Sequence, residues 1–320
     1  MNDSSAKIHF LASRNLGPAR PVKAMPSHVT GDMRPGEAFR ATLSDCLAQI
    51  TANAATVRSG YTAEGLHQLR VGFRRLEVAL GAFGREFKQD WLEDLRGRAK
   101  ILSGRLAPAR DLDVFIAQRL NGSEKDGEGI AQLRTRAETA RDAAWDAAAA
   151  CIRSAEFVRF TDDVAALAHS QLPLTRQRRL PRTAARILDR QMKRVKKRGR
   201  TARSREEGDL HRLRIALKKL RYTAEFFAPL YPAGAVKRYL RAVKALQEHM
   251  GELNDIANVR GVIGELLQLQ PRNVRKEDEA SLRFAAGTMV GWHRAQTPRA
   301  ISQALKRYAK FRKVTPFWVR

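Results

Sequence analysis

The chain contains one helical segment twice. Residues 66–76 read LHQLRVGFRRL and residues 210–220 read LHRLRIALKKL, so five of the eleven paired positions are identical at an offset of 144 residues. At the same offset further along the chain, a second segment matches, with Lys100 paired with Lys244, Leu102 with Leu246, Leu106 with Met250 and Asp111 with Asp255. Two separate segments that share one offset without a gap indicate a tandem duplication. The fold must therefore accommodate two similar halves.

Apolar residues recur with the period of an α-helix. The clearest stripe steps by three or four residues from Leu66 to Phe87, and a second stripe runs from Leu210 to Leu220. Glycine and proline divide the chain into segments of helical length, and no strand-like alternation of any length occurs. We predict an all-α fold in which the two stripes form the central helices of two bundles. Near the C-terminus we expect four separate helices, over 234–253, 255–269, 276–294 and 298–312.

The duplication also sets the predicted domain boundaries. Residues 1–35 contain four prolines and no periodicity, which predicts a flexible basic leader. The first helical half is expected over 36–172 and the second over 173–312, with a short tail over 313–320. The break between the halves falls at two prolines, Pro173 and Pro181.

The charge of the chain restricts its partners. Lys and Arg number 60 against 33 Asp and Glu, which gives a formal charge of +27, while the hydrophobic fraction of 43% is typical of a globular protein. Of the basic residues 44 are arginine, whose planar fork matches phosphate oxygens. We therefore expect a polyanionic partner. No apolar run approaches the roughly 20 residues of a membrane span, and the N-terminus lacks a signal-peptide core, so we expect a cytoplasmic protein.

A basic stripe lies beside each apolar stripe. His67, Arg70 and Arg74 are spaced at i, i+3 and i+7 on one helix face, and the second half repeats the pattern with His211, Arg214, Lys218 and Arg221. Like charges at these spacings repel each other, so their presence in both halves indicates an anion lying along the stripe. The alternative is a solvated helix face.

The histidines and aspartates of these motifs could have several roles. The two histidines could contact an anion, bind a metal together with Asp111 or Asp255, or be structural. Each of these aspartates follows an expected helix end, which favours a role as the N-cap of the next helix. Alternatively, each aspartate could orient an arginine toward a ligand. At the 144-residue offset Asp113 corresponds to Ala257, so the second half has no matching carboxylate. This argues against a catalytic pair of carboxylates.

The chain lacks the usual catalytic and cofactor motifs. It contains no glycine-rich phosphate loop, no zinc-binding spacing and no nucleophile with an associated base. We expect no enzymatic activity, no cofactor and no bound metal. A basic amphipathic helix does precede the second histidine helix, and its cationic side consists of Arg182, Arg186, Arg190, Lys193 and Lys197.

Four segments, in this order, resemble the CHAD family, the conserved histidine α-helical domain: LHQLRVGFRRL, ARDLDVF, LHRLRIALKKLRY and LQEHMGELND. The resemblance implies two antiparallel four-helix bundles related by a pseudo-twofold axis, with a basic groove or pore between them. It also implies binding of inorganic polyphosphate and, in bacteria, attachment to polyphosphate granules. Many relatives carry an N-terminal triphosphate-tunnel domain that this sequence lacks, so we expect a stand-alone binding protein.

The resemblance and the repeat together give a set of ligand-facing residues, which are His67, Arg70, Arg74, Arg75, Lys100, Arg186, Arg190, Lys193, Lys197, His211, Arg214, Lys218, Lys219, Arg221, Tyr222 and Lys244. Sulfate or phosphate ions would occupy the same groove. Weak, nonspecific binding of nucleic acid is expected from the charge, and a nucleic-acid-binding or divalent-metal-chelating protein is the alternative function. The halves differ at Glu77 opposite Arg221 and at Arg110 opposite Asn254, and we expect the second half to be the more cationic and to bind more strongly.

Overall fold

The computed structural model describes residues 20–87, 90–120, 127–170, 179–269 and 276–319. In these ranges the chain forms ten α-helices and no strand, which confirms the all-α prediction. The helices are α1 (Pro35–Arg58), α2 (Ala63–Phe87), α3 (Asp90–Arg105), α4 (Ala107–Arg119), α5 (Glu128–Arg153), α6 (Ala155–His169), α7 (Leu180–Thr201), α8 (Glu207–Phe226), α9 (Ala233–Gln268) and α10 (Lys276–Phe311). None of the helices in the described ranges is long and apolar enough to cross a membrane.

The two predicted apolar stripes lie in the core. Phe73 and Phe83 of α2 and Leu217 of α8 are completely buried. The Phe83 ring contacts Phe39 of α1 at a centroid distance of 5.1 Å and Phe227, just after α8, at 5.3 Å. Since Phe227 belongs to the second half, the apolar core is continuous from one half to the other.

The helices pack in three groups. In the first half α2 lies between α1 and α3, and α6 packs against α1 and α3. In the second half α8 lies between α7 and α9, and α10 packs along α9. A separate apolar cluster joins α4 and α5 to the C-terminal part of α9 and the N-terminal part of α10 through Phe115, Leu133, Ile263 and Leu282. This cluster draws two helices from each half, and the pseudo-twofold relation between two bundles stays a prediction.

The long helices α9 and α10 are each continuous, so the prediction of four separate helices is wrong. The first half does break, between α3 and α4, where Pro108 lies in the first turn of α4 and lacks an N–H to donate to the preceding turn. The residue paired with Pro108 in the second half is Glu252, which allows α9 to continue. In α10, Pro298 lies inside the helix, and packing against α5 and α9 outweighs its cost of about 3 kcal/mol.

Two glycines allow α10 to approach its neighbours closely. A Cβ at Gly199 of α7 would lie 1.9 Å from the hydroxyl of Tyr308, and one at Gly129 of α5 would lie 2.2 Å from the backbone oxygen of Ser281. No side chain larger than hydrogen fits at these distances. The position of α10 therefore depends on both glycines.

The segments outside the two halves also pack on the helices. Val22 and the Asn53 side chain of α1 exchange two hydrogen bonds, at 3.0 Å and 2.8 Å, and Val29 is completely buried. From residue 20 onward the expected flexible leader is thus held against α1, whereas residues 1–19 lie outside the described residues. In the tail, the indole Nε1 of Trp318 donates to Asp189 of α7 at 2.8 Å.

Candidate anion-binding site

A cavity of about 440 Å³ lies where α2, α4, α8 and α9 meet. We call it the junction cavity. Its lining consists of seven pairs of residues related by the 144-residue offset, together with His67 and Arg119. The pairs are Arg70 with Arg214, Arg74 with Lys218, Arg110 with Asn254, Asp111 with Asp255, Val114 with Asn258, Phe115 with Val259, and Gln118 with Val262. The cavity therefore lies where the two sequence halves meet, and both basic stripes contribute to it.

Positive charge dominates this cavity. Six basic side chains line it against the two carboxylates of Asp111 and Asp255, which leaves an excess of four positive charges when Lys218 is protonated and His67 is neutral. The six are Arg70, Arg74, Arg110, Arg119, Arg214 and Lys218. Four of them come from the first half and two from the second. A concave site with one sign of charge concentrates ions of the opposite sign.

Arg70 is the most deeply placed of these cations. Its exposure is 7%, its Nη1 donates to the backbone oxygen of Ser103 at 3.4 Å, and its Nε has no hydrogen-bond partner among the described residues. Burial, and then the neighbouring Arg74, lower the pKa of Arg70 to about 10. A buried guanidinium with an unused donor is costly unless an acceptor completes its hydrogen bonds.

Lys218 lies in the most strongly positive surroundings. Burial lowers its pKa to about 6, and repulsion from Arg74, Arg214, Arg221 and Arg70 adds to the shift. An amine with this pKa is mostly neutral at pH 7. An anion placed among the same guanidinium groups would favour the charged form and raise the pKa again.

The two aspartates do not cap helices, so the favoured N-cap interpretation is wrong. Asp111 lies within α4 and Asp255 within α9, because α4 begins at Ala107 and α9 continues past Asn254. Burial raises the pKa of Asp255, and the positive charges of Arg214 and Arg119 oppose that rise. Both carboxylates offset part of the positive charge in the junction cavity.

The two repeated histidines occupy different surroundings. His67 lines the junction cavity, where burial and then Arg110 lower its pKa. His211 is exposed and lines a separate groove. In the described ranges, no three His, Cys, Asp or Glu side chains cluster as metal ligands would.

Several predicted site residues near the end of the basic stripes lie away from the cavity. Arg75 is buried, with its Nη1 at 3.0 Å from Oε2 of Glu225 and its guanidinium 5.2 Å from the centroid of the Phe226 ring. Arg221 reaches the same carboxylate at 3.5 Å and covers the ring of buried Tyr222. These side chains bind each other across the two halves, which the linear sequence does not reveal.

The other predicted cations lie on different surfaces. Arg186 and Arg190 of α7 both pair with the carboxylate of Glu86, and the second contact measures 2.9 Å. Half-buried Lys219 lies near the carboxylate of half-buried Glu77 and the exposed Lys100. The remaining three lysines are exposed, and they are Lys193, Lys197 and Lys244.

Some cavity residues were absent from the predicted set. Arg110, Arg119, Asn254 and Asn258 line the cavity, although the sequence prediction did not include them as ligand contacts. The available signal was the repeat itself. Positions 111, 115 and 118 and their partners 255, 259 and 262 fall on one face of α4 and of α9, at helical spacing and at the same offset.

The family model of the CHAD domain matches residues 41–263. The chain belongs to the CHAD family. A search of curated proteins gives no match.

Solved structures give the same fold. The crystal structure of the CHAD domain from the plant Ricinus communis is similar to this CHAD protein with a TM-score of 0.82 and 28% sequence identity, covering 92% of this chain and 98% of that one. PptA from Streptomyces chartreusis is similar with a TM-score of 0.64 and 18% identity, covering 86% of this chain and all of that one, 100%. At 18% identity the second likeness supports the fold alone.

Proposed function

We propose that this CHAD protein binds inorganic polyphosphate in the junction cavity and catalyses no reaction there. The observation that carries the proposal is the convergence of six basic side chains from both halves on one cavity with only two carboxylates. Among the six, Arg70 has an unused buried donor and Lys218 is surrounded by guanidinium groups. Phosphate oxygens would accept the unused hydrogen bond of Arg70, and their negative charge would offset the positive charges around Lys218.

A linear polyphosphate suits this arrangement better than a single small anion. Guanidinium groups bind phosphate oxygens two at a time, and each neutralised phosphate releases counterions, so affinity should fall steeply with salt. A chain longer than the cavity would continue over the exposed lysines Lys193, Lys197 and Lys244. Long chains should then bind more tightly than short ones through multiple contacts.

The cellular role that we propose follows the family. A CHAD protein that holds polyphosphate in this way would attach to polyphosphate granules in the cytoplasm. In this proposal the two halves form bundles related by a pseudo-twofold axis, which is the simplest symmetry that places seven residue pairs around one cavity. Single phosphate or sulfate ions would occupy the same place more weakly.

The deciding experiment compares the affinity for long-chain polyphosphate with that for duplex DNA at two salt concentrations. The test variant is Arg74→Gln/Lys218→Gln, and the matched control is Lys237→Gln/Arg238→Gln, which also replaces one lysine and one arginine, at two exposed positions of α9. We expect the test variant to lose about a hundredfold in polyphosphate affinity, and the control less than about threefold.

The outcomes separate the alternatives. Equal losses in the two variants, or equal affinity for DNA and polyphosphate, would mean that binding follows overall charge and not the cavity. Stoichiometric binding of a divalent metal that is lost in His67→Ala and in His211→Ala would instead support the chelating alternative.

A further inference from the structure

A second and larger concave site lies beside the junction cavity. It is a groove of about 1300 Å³ between α8, α9 and α10, and we call it the second-half groove. Its apolar lining comes mainly from Met250, Ile256, Val259, Val290 and Ile301. This volume exceeds the roughly 300–1,000 Å³ that is usual for small-molecule sites, so a ligand of that size fits.

The equivalent position in the first half is filled by side chains. The hydroxyl of Tyr61 donates to Oδ1 of Asp113 at 2.8 Å, and the indole Nε1 of Trp145 donates to the same oxygen at 3.1 Å. The two rings pack together at a centroid distance of 4.5 Å. At the 144-residue offset these three residues become Arg205, Ala257 and Met289, none of which can rebuild this contact. We call this contact the aromatic plug, and the second half, where the groove lies, lacks it.

A buried polar atom in the groove indicates what kind of ligand it accepts. His293 lines the groove with an exposure of 4%, and its Nδ1 has no hydrogen-bond partner among the described residues. Burial, and then Arg119, lower the pKa of His293, which favours the neutral ring with one donor and one acceptor nitrogen. A hydrocarbon chain cannot satisfy this nitrogen, whereas the edge of a heteroaromatic base can.

The groove is also continuous with the anion site. Arg214, Asn254, Asn258 and Val259 line both the groove and the junction cavity. Around the groove, five arginines outnumber the two carboxylates of Glu207 and Glu265, and the five are Arg205, Arg212, Arg214, Arg260 and Arg294. A ligand with an apolar planar body and a phosphate group would therefore find complementary surfaces at its two ends.

We infer that the second-half groove binds a nucleotide, with the base against the apolar lining and His293 and the phosphates directed to Arg214 and His211. This inference does not depend on the polyphosphate proposal, because His293 and the apolar lining other than Val259 are not part of the junction cavity. The two ligands would meet at Arg214, so each should weaken the binding of the other.

The test compares ATP with tripolyphosphate, which carries the same number of phosphates without a base, by calorimetry on the full chain. We expect ATP to bind about tenfold more tightly. The blocking variant is Gly261→Leu/Gly264→Leu, which fills the groove from α9. An added Cβ at either glycine meets no atom within 4 Å, and leucine favours a helix more than glycine does, so this variant should fold.

The matched control is Gly97→Leu/Gly104→Leu, at two exposed positions of α3 that also have free space. The preference for ATP should disappear in the blocking variant, fall in His293→Phe and remain in the control. Equal affinities for ATP and tripolyphosphate in the original chain would overturn the inference, as would an undiminished preference in the blocking variant. Tighter binding of dodecyl phosphate than of AMP would assign the groove to a lipid and would also overturn it.

Long-chain polyphosphate serves as the separate readout for the proposed function. It should bind the blocking variant as it binds the original chain. If polyphosphate failed to bind while the ATP preference held, the proposed function alone would fail. If the reverse were observed, the nucleotide inference alone would fail.

Discussion

The two halves of this CHAD protein share one cavity but have different surroundings. Beside the cavity the first half is closed by the plug of Tyr61, Trp145 and Asp113, whereas the second half leaves a groove open. The first half also supplies four of the six basic side chains of the cavity. The two matched segments thus share their basic stripes, whereas the residues around them differ. One half is the more closed and the more cationic side of the site, and the other is the more accessible side.

The first way to test this comparison is to remove the plug. Trp145→Ala should lower the free energy of unfolding by about 3 kcal/mol, because it deletes a large buried side chain and leaves Asp113 with one hydrogen bond fewer. Urea denaturation measures the change. The control is Trp292→Ala on α10, where the side chain is 60% exposed and the expected loss is below about 0.5 kcal/mol. Similar losses for the two tryptophans would show that the first half is not closed by a plug.

A second test concerns the buried amine that the second half contributes. Lys218→Met should raise the free energy of unfolding by about 2 kcal/mol at pH 7, because it removes an amine that burial and four arginines disfavour in its charged form. The pKa of this amine falls from 10.5 to about 6 on folding, so between these values the unfolded chain binds more protons than the folded one.

The sign of the pH dependence follows from that difference. Lys218 should make the free energy of unfolding of the original chain rise with pH between about 6 and 10.5. Below pH 6 folding must bury a charged amine at full cost, and above pH 10.5 the amine is neutral in both states, so this cost is zero. The advantage of Lys218→Met should therefore shrink as the pH rises through this window. An advantage that is constant with pH, or a loss of stability, would contradict the assigned surroundings of Lys218. Denaturation of both chains at several pH values gives the answer.

The smallest expected effect, on polyphosphate affinity, comes from exchanging the residues of one offset-related pair in the cavity whose members differ in charge. Arg110→Asn gives the first half the residue of the second, and Asn254→Arg does the reverse. We expect the first change to weaken polyphosphate binding about tenfold and the second to strengthen it by a similar factor, because each removes or adds one charge-assisted contact. The double exchange should restore the original affinity. A weaker effect of Arg110→Asn than of the exposed control Arg238→Gln would contradict a role for Arg110 in the cavity.

The expectation that the second half is more cationic fails within the cavity for a structural reason. It rested on Arg221 standing opposite Glu77, and neither residue lines the cavity. Arg221 instead shares the carboxylate of Glu225 with Arg75, which comes from α2. Arg110 and Arg119 decide the charge of the cavity, and both come from the first half.

The helical class, the apolar stripes and the matched segments at one offset could all be predicted from the amino-acid sequence. Periodicity and internal repetition are local properties, so they can be read without knowing which helices meet. The same offset of 144 residues that identified the repeat also relates the pairs that line the cavity. Helix ends could not be predicted as well from the sequence. In α10 the helix continues past Pro298, although proline lacks the N–H for a helical hydrogen bond.

Which cations are available to a ligand depends on how the helices pack, and the sequence does not show this. Arg75 and Glu225 are 150 residues apart in the chain, and Arg186 and Glu86 are 100 apart, yet each pair is in contact. The surroundings of Lys218 and the open groove beside His293 likewise come from helices that are distant in sequence. Charge pairing, pKa values and cavities depend on burial and on neighbours in space, and a linear pattern of residue types does not contain that information.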